Sequence, residues 1–232
     1  MHAVILAAGC GSRMGDETES VPKAFLDVDG RSLYDRQRAV LADRVDDITV
    51  VLGYAYETVV DRLDGANAVR FEDWSEYENA ESLRLALTGI DDDVLVLNGD
   101  IVTTPTAVDR LLDRFAEFDG EYNIVGCLPG IQDEHTAIRT DDDGTVVDYG
   151  LISGYRHAGM GVISRRHREA AMELLAANRD EWYPLVYPET PTKRVVIPST
   201  EHLEINRPDD LDAARNRLPL ESWTDSQSGN SD

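Results

Sequence analysis

Short apolar runs alternate with amphipathic stretches along most of this chain, and that rhythm sets the first expectation of its architecture. Residues 2 to 6, HAVIL, form a run too short for a core helix and read as a buried parallel strand. A loop rich in glycine and polar residues follows, from Ala7 to about Pro22. Ser32 is placed to cap a helix through about Ala42, with Leu33, Arg36, Gln37 and Val40 at helical spacing. Strands are predicted at Asp47 to Leu52, Ala68 to Phe71 and Val94 to Leu97, with helices around Tyr56 to Leu63 and Ala80 to Leu87 between them. Thr104-Pro105 opens a further helix that carries Val108, Leu111, Leu112 and Phe115 on one face.

After a strand at Tyr122 to Gly126 the rhythm changes. Thr136 to Thr140 and Thr145 to Tyr149 flank Asp143-Gly144 and read as a hairpin. A strand at Met160 to Ile163, a helix from about Arg166 to Ala177, short strands at Val195 to Ile197 and Leu203 to Ile205, and a helix opened by Pro208 complete the pattern. Repeated strand–helix units predict an α/β fold, Rossmann-like, with a mixed, mainly parallel sheet covered by helices on both faces. One domain over residues 1–218 is expected, followed by a polar tail, 219–232, expected to be disordered.

Charge narrows the partners. Asp and Glu number 45 against 22 Lys and Arg, a formal net charge of -23 spread along the whole chain. Such a surface repels nucleic acid and anionic membranes, and neither is expected as a partner. The pattern resembles that of proteins from salt-loving archaea, where dense salt screens the self-repulsion. The opening segment has no basic n-region and its apolar run is too short to span a bilayer, so a soluble, cytoplasmic protein is expected. Cys10 and Cys127 are too few for a disulfide framework or a zinc site. Among the basic residues only Lys23 and Lys193 are lysines. In a chain that otherwise uses arginine, a lysine marks a place for a compact ammonium; for Lys193 a solvated surface charge fits equally well.

Ligands of open parallel sheets bind at the carboxyl ends of the strands, and three such ends carry informative residues. The first strand runs into LAAGCGSRMG from Leu6. Its small residues let backbone N–H groups approach phosphate oxygens, and Arg13 adds a bidentate donor. Ten residues on, Lys23 lies in VPKAF, where Pro22 fixes the backbone. The fourth strand ends at Asn98-Gly99-Asp100, a carboxylate suited to Mg2+ beside phosphates or, read alone, an ordinary turn. Near the end, Glu204 and Asn206 share one face of a strand. Asn206 offers a neutral oxygen to the same metal, with Glu204 behind it or joined through water; it is equally placed to cap the helix after Pro208.

Taken in order, these segments resemble the nucleotidyltransferase superfamily that activates sugar phosphates, choline phosphate and similar substrates. The matching pieces are LAAGCGSRMG at Leu6, VPKAFLDVDGRSL at Val21, ITVVLGY at Ile48, ENAESL at Glu78, VLVLNGD at Val94 and LEINRPDDLDAA at Leu203. The ten-residue step from Arg13 to Lys23 is similar to the sugar-phosphate branch; in the molybdopterin branch, which also uses RMG, the lysine follows much sooner. The stretch Trp74 to Leu83 resembles the phosphocholine cytidylyltransferase-like branch. Two departures stand out: Asn206 occupies a position that is aspartate in many members, and the glutamate-lysine-proline signature of several sugar branches is absent.

The resemblance implies a nucleotide-diphospho-sugar transferase fold and a Mg2+-dependent transfer of a nucleoside monophosphate from a triphosphate to a phosphorylated small molecule, with release of pyrophosphate. It implies nucleotide contacts from Leu6, Ala7, Ala8, Gly9, Gly11, Ser12, Arg13, Lys23, Gly53, Asn79, Ser82 and Asp100, and a metal on Asp100 and Asn206. Lys23 would stabilise charge on the α-phosphoryl group and Arg13 would hold the pyrophosphate. For the acceptor, Arg156, His157, Gly159 and Lys193 are candidates; His157 reads equally as a plain strand residue and the nearby glycines as a bulge. Trp182, Tyr183 and Tyr187 either pack a helix or box a cationic headgroup, with packing the commoner role. Cytidine is the mild preference for the base, with uridine, thymidine or guanosine following. Two other readings remain: a nucleotide-sensing domain that kept the fold and lost turnover, invited by Asn206, and a nicotinamide-dependent oxidoreductase, since Gly9, Gly11 and Gly15 approach the dinucleotide fingerprint with Asp29 or Asp35 as ribose ligands.

Overall fold

The computed structural model describes residues 1–130 and 136–217; the polar tail lies outside the described residues. Its centre is a nine-stranded mixed sheet. Four parallel strands form one half, in the order β5 (Asn67–Arg70), β4 (Asp47–Leu52), β1 (His2–Ala7), β6 (Val94–Asn98). The chain therefore builds outward from β1 on one side, then returns to add β6 on the other. The two directions of winding part between β1 and β6, which places a crevice at their carboxyl ends.

The other half is antiparallel at its join. The strand β11 (Tyr155–Ile163) pairs antiparallel with β6, with β8 (Asn123–Leu128) and with β9 (Ala137–Thr140). Beyond them lie β10 (Val146–Gly150), hairpin partner of β9, and β12 (Thr192–Val196), parallel to β8. The nine-residue β11 is longer than the apolar run Met160 to Ile163 suggests, because Tyr155, Arg156 and His157 extend it toward the hairpin. Two small sheets complete the set: β2 (Asp27–Val28) with β3 (Arg31–Ser32), and β7 (Ile101–Thr103) with β13 (His202–Glu204).

The helices cover the sheet for reasons visible in their ends. In α1 (Leu33–Leu41), the Ser32 hydroxyl accepts from Asp35 N while the Asp35 carboxylate accepts from Ser32 N, a reciprocal capping box. In α4 (Pro105–Glu117), Thr104 caps Ala107 N, Pro105 fills the first turn, and Ala107, Val108, Leu111 and Phe115 are buried. Full burial of each larger apolar side chain contributes roughly 1.5–3 kcal/mol. The predicted helix from Tyr56 is shorter: α2 (Tyr56–Val59) passes into a 3-10 turn at Val60–Arg62. The remaining helices are α3 (Asn79–Leu87), α5 (Arg168–Ala177), α6 (Val186–Glu189) and α7 (Pro208–Arg217). Two apolar clusters, one holding Ile5, Leu97 and Met160 and the other Val4, Val96 and Leu83, flank the sheet. Among the described residues no helix is long and apolar enough to cross a membrane.

Candidate active site

A cleft of about 1290 Å³ opens at the carboxyl ends of β1 and β6, where the winding reverses. It exceeds the several hundred Å³ that one small ligand fills, and has room for two substrates side by side. Its floor is the loop from Leu6 to Arg13 and the turn Asn98-Gly99-Asp100.

Local geometry explains the loop. Gly11 sits at φ 65, and a Cβ there would come within 3.1 Å of Lys23 Cβ and 3.3 Å of Thr18 Cγ2. Only glycine lets the loop fold this closely over Lys23. Thr18 Oγ1 donates to Gly11 O at 3.2 Å, and the Tyr54 hydroxyl donates to the Thr18 carbonyl, tying the loop to the segment after β4. Among the described residues the backbone N–H groups of Gly9, Cys10 and Gly11 donate to no protein carbonyl, which leaves them for an anion.

Three distant segments meet above this loop. Lys23 Nζ donates to Asp100 Oδ2 at 2.7 Å and to Asn206 Oδ1 at 3.2 Å. Arg13 donates to the same Asn206 Oδ1 at 2.9 Å. Asn206 in turn donates through Nδ2 to Glu204 Oε1 at 2.7 Å. Pairing of β7 with β13, continued by Ile205 N donating to Asp100 O at 2.9 Å, brings the Asp100 and Asn206 segments together. Asn206 does not cap the final helix with its side chain. Asp210 Oδ2 instead accepts from Asn206 N and Arg207 N, the backbone donors just before that helix.

Asp100 Oδ1 is buried and makes no hydrogen bond. A half-satisfied carboxylate lining the cleft, with a neutral amide oxygen and a second carboxylate on the same wall, suits a hard cation that completes its shell with phosphate and water. Among the described residues no cluster of three or more His, Cys, Asp or Glu is arranged to hold a metal on such side chains alone. Magnesium binding through one or two protein oxygens is compatible with that.

The remaining candidates divide. Leu6, Ala7, Ala8, Gly9, Ser12, Asn79, Ser82, Arg156, His157 and Gly159 all line the cleft. Gly53 does not; it lies behind the rim, where a Cβ would stand 2.5 Å from Trp74 Cβ and 2.9 Å from the Ala8 carbonyl oxygen. Lys193 is also misplaced by the sequence reading. Its ammonium donates to the Asp143 carbonyl and to Thr145 Oγ1 at the hairpin turn, outside the cleft. Asn79 has a structural task besides facing the cleft, because its Oδ1 accepts from Tyr183 N at 2.8 Å.

His157 cannot carry a phosphate by charge. Burial holds its imidazole down at about 3, so it is neutral near pH 7, with Nδ1 accepting from Gly159 N. Arg156 differs: its guanidinium has no ion pair or hydrogen-bond partner among the described residues, in a chain of net charge -23. Gly159 takes φ 65, and the β11–β8 register shifts between His157 and Gly161, so the bulge reading of these glycines holds. A Cβ on Gly159 would press within 3.1 Å of Asn98 Nδ2, against the turn that carries Asp100. Tyr183 and Tyr187 are buried packing residues, whereas Trp182 is half exposed on the rim and donates to Glu78.

The dinucleotide reading fails on the same geometry. Asp29 lies at φ 57 in the β2–β3 turn and Asp35 is consumed by the capping box, and neither lines the cleft.

Comparison with known proteins places the chain in a family. Residues 3–204 match the family described as the MobA-like NTP transferase domain. The chain is 32% identical over 166 residues, 68% of its own length, to a CMP-5'-(3-aminopropyl)phosphonate synthase of Streptomyces rubellomurinus; the match spans 26% of that protein. It is 33% identical over 105 residues to a choline-phosphate cytidylyltransferase of Haemophilus influenzae, 44% of this chain and 45% of that one. The matched stretches thus span about a quarter to a half of these relatives. Among solved structures, the inositol-1-phosphate CTP transferase from T. maritima superposes with a TM-score of 0.77 at 20% identity, covering 95% of this chain and 96% of that one, a likeness of fold. On the match that runs from β1 to β13, the chain belongs to the MobA-like NTP transferase family.

Proposed function

We propose that the protein is a Mg2+-dependent nucleotidyltransferase that moves a cytidine monophosphate unit from CTP to a phosphorylated or phosphonate-bearing small molecule, releasing pyrophosphate. The observation that carries this reading is the meeting of Lys23, Asp100 and Asn206 beside the open N–H groups of the β1 loop. Cytidine is preferred because both relatives described above carry cytidine-nucleotide names.

An acceptor phosphate is largely dianionic near pH 7, with a second pKa of about 6, so its oxygen attacks the α-phosphorus without a general base. A new P–O bond forms, the bond from the α-phosphorus to the bridging oxygen breaks, and its electron pair leaves with pyrophosphate. Catalysis is then positioning and charge neutralisation. The β1 loop and Arg13 hold the departing phosphates through N–H donors. Lys23, only 14% exposed, exchanges its carboxylate partner for the α-phosphoryl oxygens as negative charge builds there. Arg156 binds the acceptor's phosphate from the opposite wall, and neutral His157 serves as a hydrogen-bonding neighbour of the acceptor body. Magnesium held by Asp100 and Asn206, with Glu204 behind, would supply neutralisation of the triphosphate charge.

The test is calorimetry with CTP, UTP, GTP and dTTP, followed by pyrophosphate release with phosphocholine, aminoalkyl phosphonates, inositol phosphate and sugar 1-phosphates. CTP-dependent pyrophosphate release with at least one acceptor supports the reading. Tight triphosphate binding without turnover across the panel would instead favour a sensor.

A further inference from the structure

Gln37 is a polar residue on the buried face of α1, 1% exposed, where Leu33, Tyr34, Val40 and Leu41 make up the rest of the face. Its Nε2 donates to Asn98 O at 2.7 Å and to Ile101 O at 2.8 Å. An amide nitrogen has two N–H donors, and both are spent on the two carbonyls that bracket Gly99-Asp100. Two carbonyl acceptors also fix which end of the amide faces the turn. The other end, Oε1, is buried without a hydrogen bond. A leucine or methionine would fill this space without burying an unsatisfied oxygen, so the residue is there for its donors.

Apart from the Lys23 bond to the Asp100 side chain, the turn is otherwise held through backbone groups. Gly99 N donates to Leu6 O at 2.8 Å and Asp100 O accepts from Ile205 N at 2.9 Å. These bonds fix the turn against β1 and against the segment after β13. Gln37 adds the restraint from behind, closing the span from Asn98 to Ile101 across which the carboxylate is presented.

We propose that Gln37 is a positioning residue that sets the Asp100 carboxylate for the metal-bound triphosphate. This rests on the reading of the site given under Proposed function. Loss of a group that orients a metal ligand typically lowers metal affinity about 10- to 100-fold.

The experiment is calorimetry of CTP with and without Mg2+ on wild type, Gln37→Met and Val40→Ala, each first checked for its unfolding midpoint. Val40 is a buried α1 residue with no bond to the turn, so it reports what loosening the helix does by itself. The wild type binds CTP more tightly with Mg2+. In Gln37→Met the gain from Mg2+ shrinks at least about tenfold while Mg2+-free affinity stays unchanged, and in Val40→Ala both are unchanged. Gln37→Glu, which keeps the volume and cannot supply two donors, shows the same loss and serves if the methionine variant folds poorly. A full Mg2+ gain in a folded Gln37 variant, or an equal loss in Val40→Ala, overturns the role of Gln37. A wild type with no Mg2+ gain at all would instead strike the reading of the site.

Discussion

Lys23 Nζ lies 2.7 Å from Asp100 Oδ2, although 77 residues separate them in the chain. The contact exists because Lys23 follows the β1 loop and Asp100 follows β6, and β1 and β6 are hydrogen-bonded neighbours at the point where the sheet changes its direction of winding. Replacing Lys23 by alanine removes the ammonium from the α-phosphoryl site and is expected to lower pyrophosphate release on the order of 100- to 1,000-fold, with the fold intact by circular dichroism. Lys23→Arg does not restore the rate, because the planar guanidinium cannot take the place of a compact ammonium.

The proposed metal site makes a reciprocal pair of expectations. Asp100→Asn removes the charged ligand and raises the Mg2+ concentration needed for half-maximal turnover at least about tenfold. Asn206→Asp adds a second carboxylate beside it and shifts the same titration to lower Mg2+. Titration of turnover against Mg2+ at saturating nucleotide reads both, and opposite displacements are required.

Arg156 stands on β11 without an ion-pair partner among the described residues, facing the cleft. Hydrogen bonds to charged groups contribute about 1.5–3 kcal/mol, which corresponds to roughly 10- to 150-fold in affinity. Arg156→Gln is therefore expected to raise KM for the acceptor by that factor while leaving KM for the triphosphate unchanged. Lys193→Ala, at the hairpin turn, changes neither.

What the sequence shows and what it hides follow from how local each signal is. The strands β1, β4 and β6 are apolar runs bounded by polar loops, and their residues, including Arg13, Lys23 and Asp100 beyond them, are legible because the chemistry follows each strand directly. The pairing of β7 with β13 is not legible: three residues carry no periodicity, and the partner lies about a hundred positions downstream. A separation of 61 and 64 residues from its partners likewise hides Gln37, which looks like one more position on an amphipathic helix until the turn it holds is seen. Lys193 and Arg156 both read as candidates for the acceptor, Lys193 the weaker, because both are cations on late strands. Which end of each strand reaches the cleft decides which of them lines it, and that is a property of the sheet. The neutrality of His157 likewise comes from burial that no local pattern announces.

Stability has its own buried charge. Glu81, 2% exposed, takes two bonds from Arg84 and one from Arg179, which also covers the Tyr77 ring at the rim of the cleft. Burial alone would raise its carboxyl; the bonds from Arg84 and Arg179 outweigh that and hold it below the ordinary 4.5. A depressed acid contributes stability above its unfolded value and loses it as pH falls through the folded one. Glu81→Gln is expected to cost about 1.5–3 kcal/mol at pH 7, as loss of hydrogen bonds to charged groups does where the two guanidiniums left behind still reach water, and the difference from wild type narrows below pH 4.5. Urea unfolding of both proteins at several pH values measures it.

The central claim is that Arg13, Lys23 and Asp100 act on one metal-bound triphosphate. A crystal structure of the complex with CTP and Mg2+ tests it most directly. The account predicts Lys23 Nζ drawn from Asp100 to within about 3 Å of an α-phosphoryl oxygen, Arg13 on the terminal phosphates and the metal on Asp100 and Asn206. A triphosphate seated elsewhere, or one bound in the cleft with Lys23 still paired to Asp100 and no metal between Asp100 and Asn206, would contradict it.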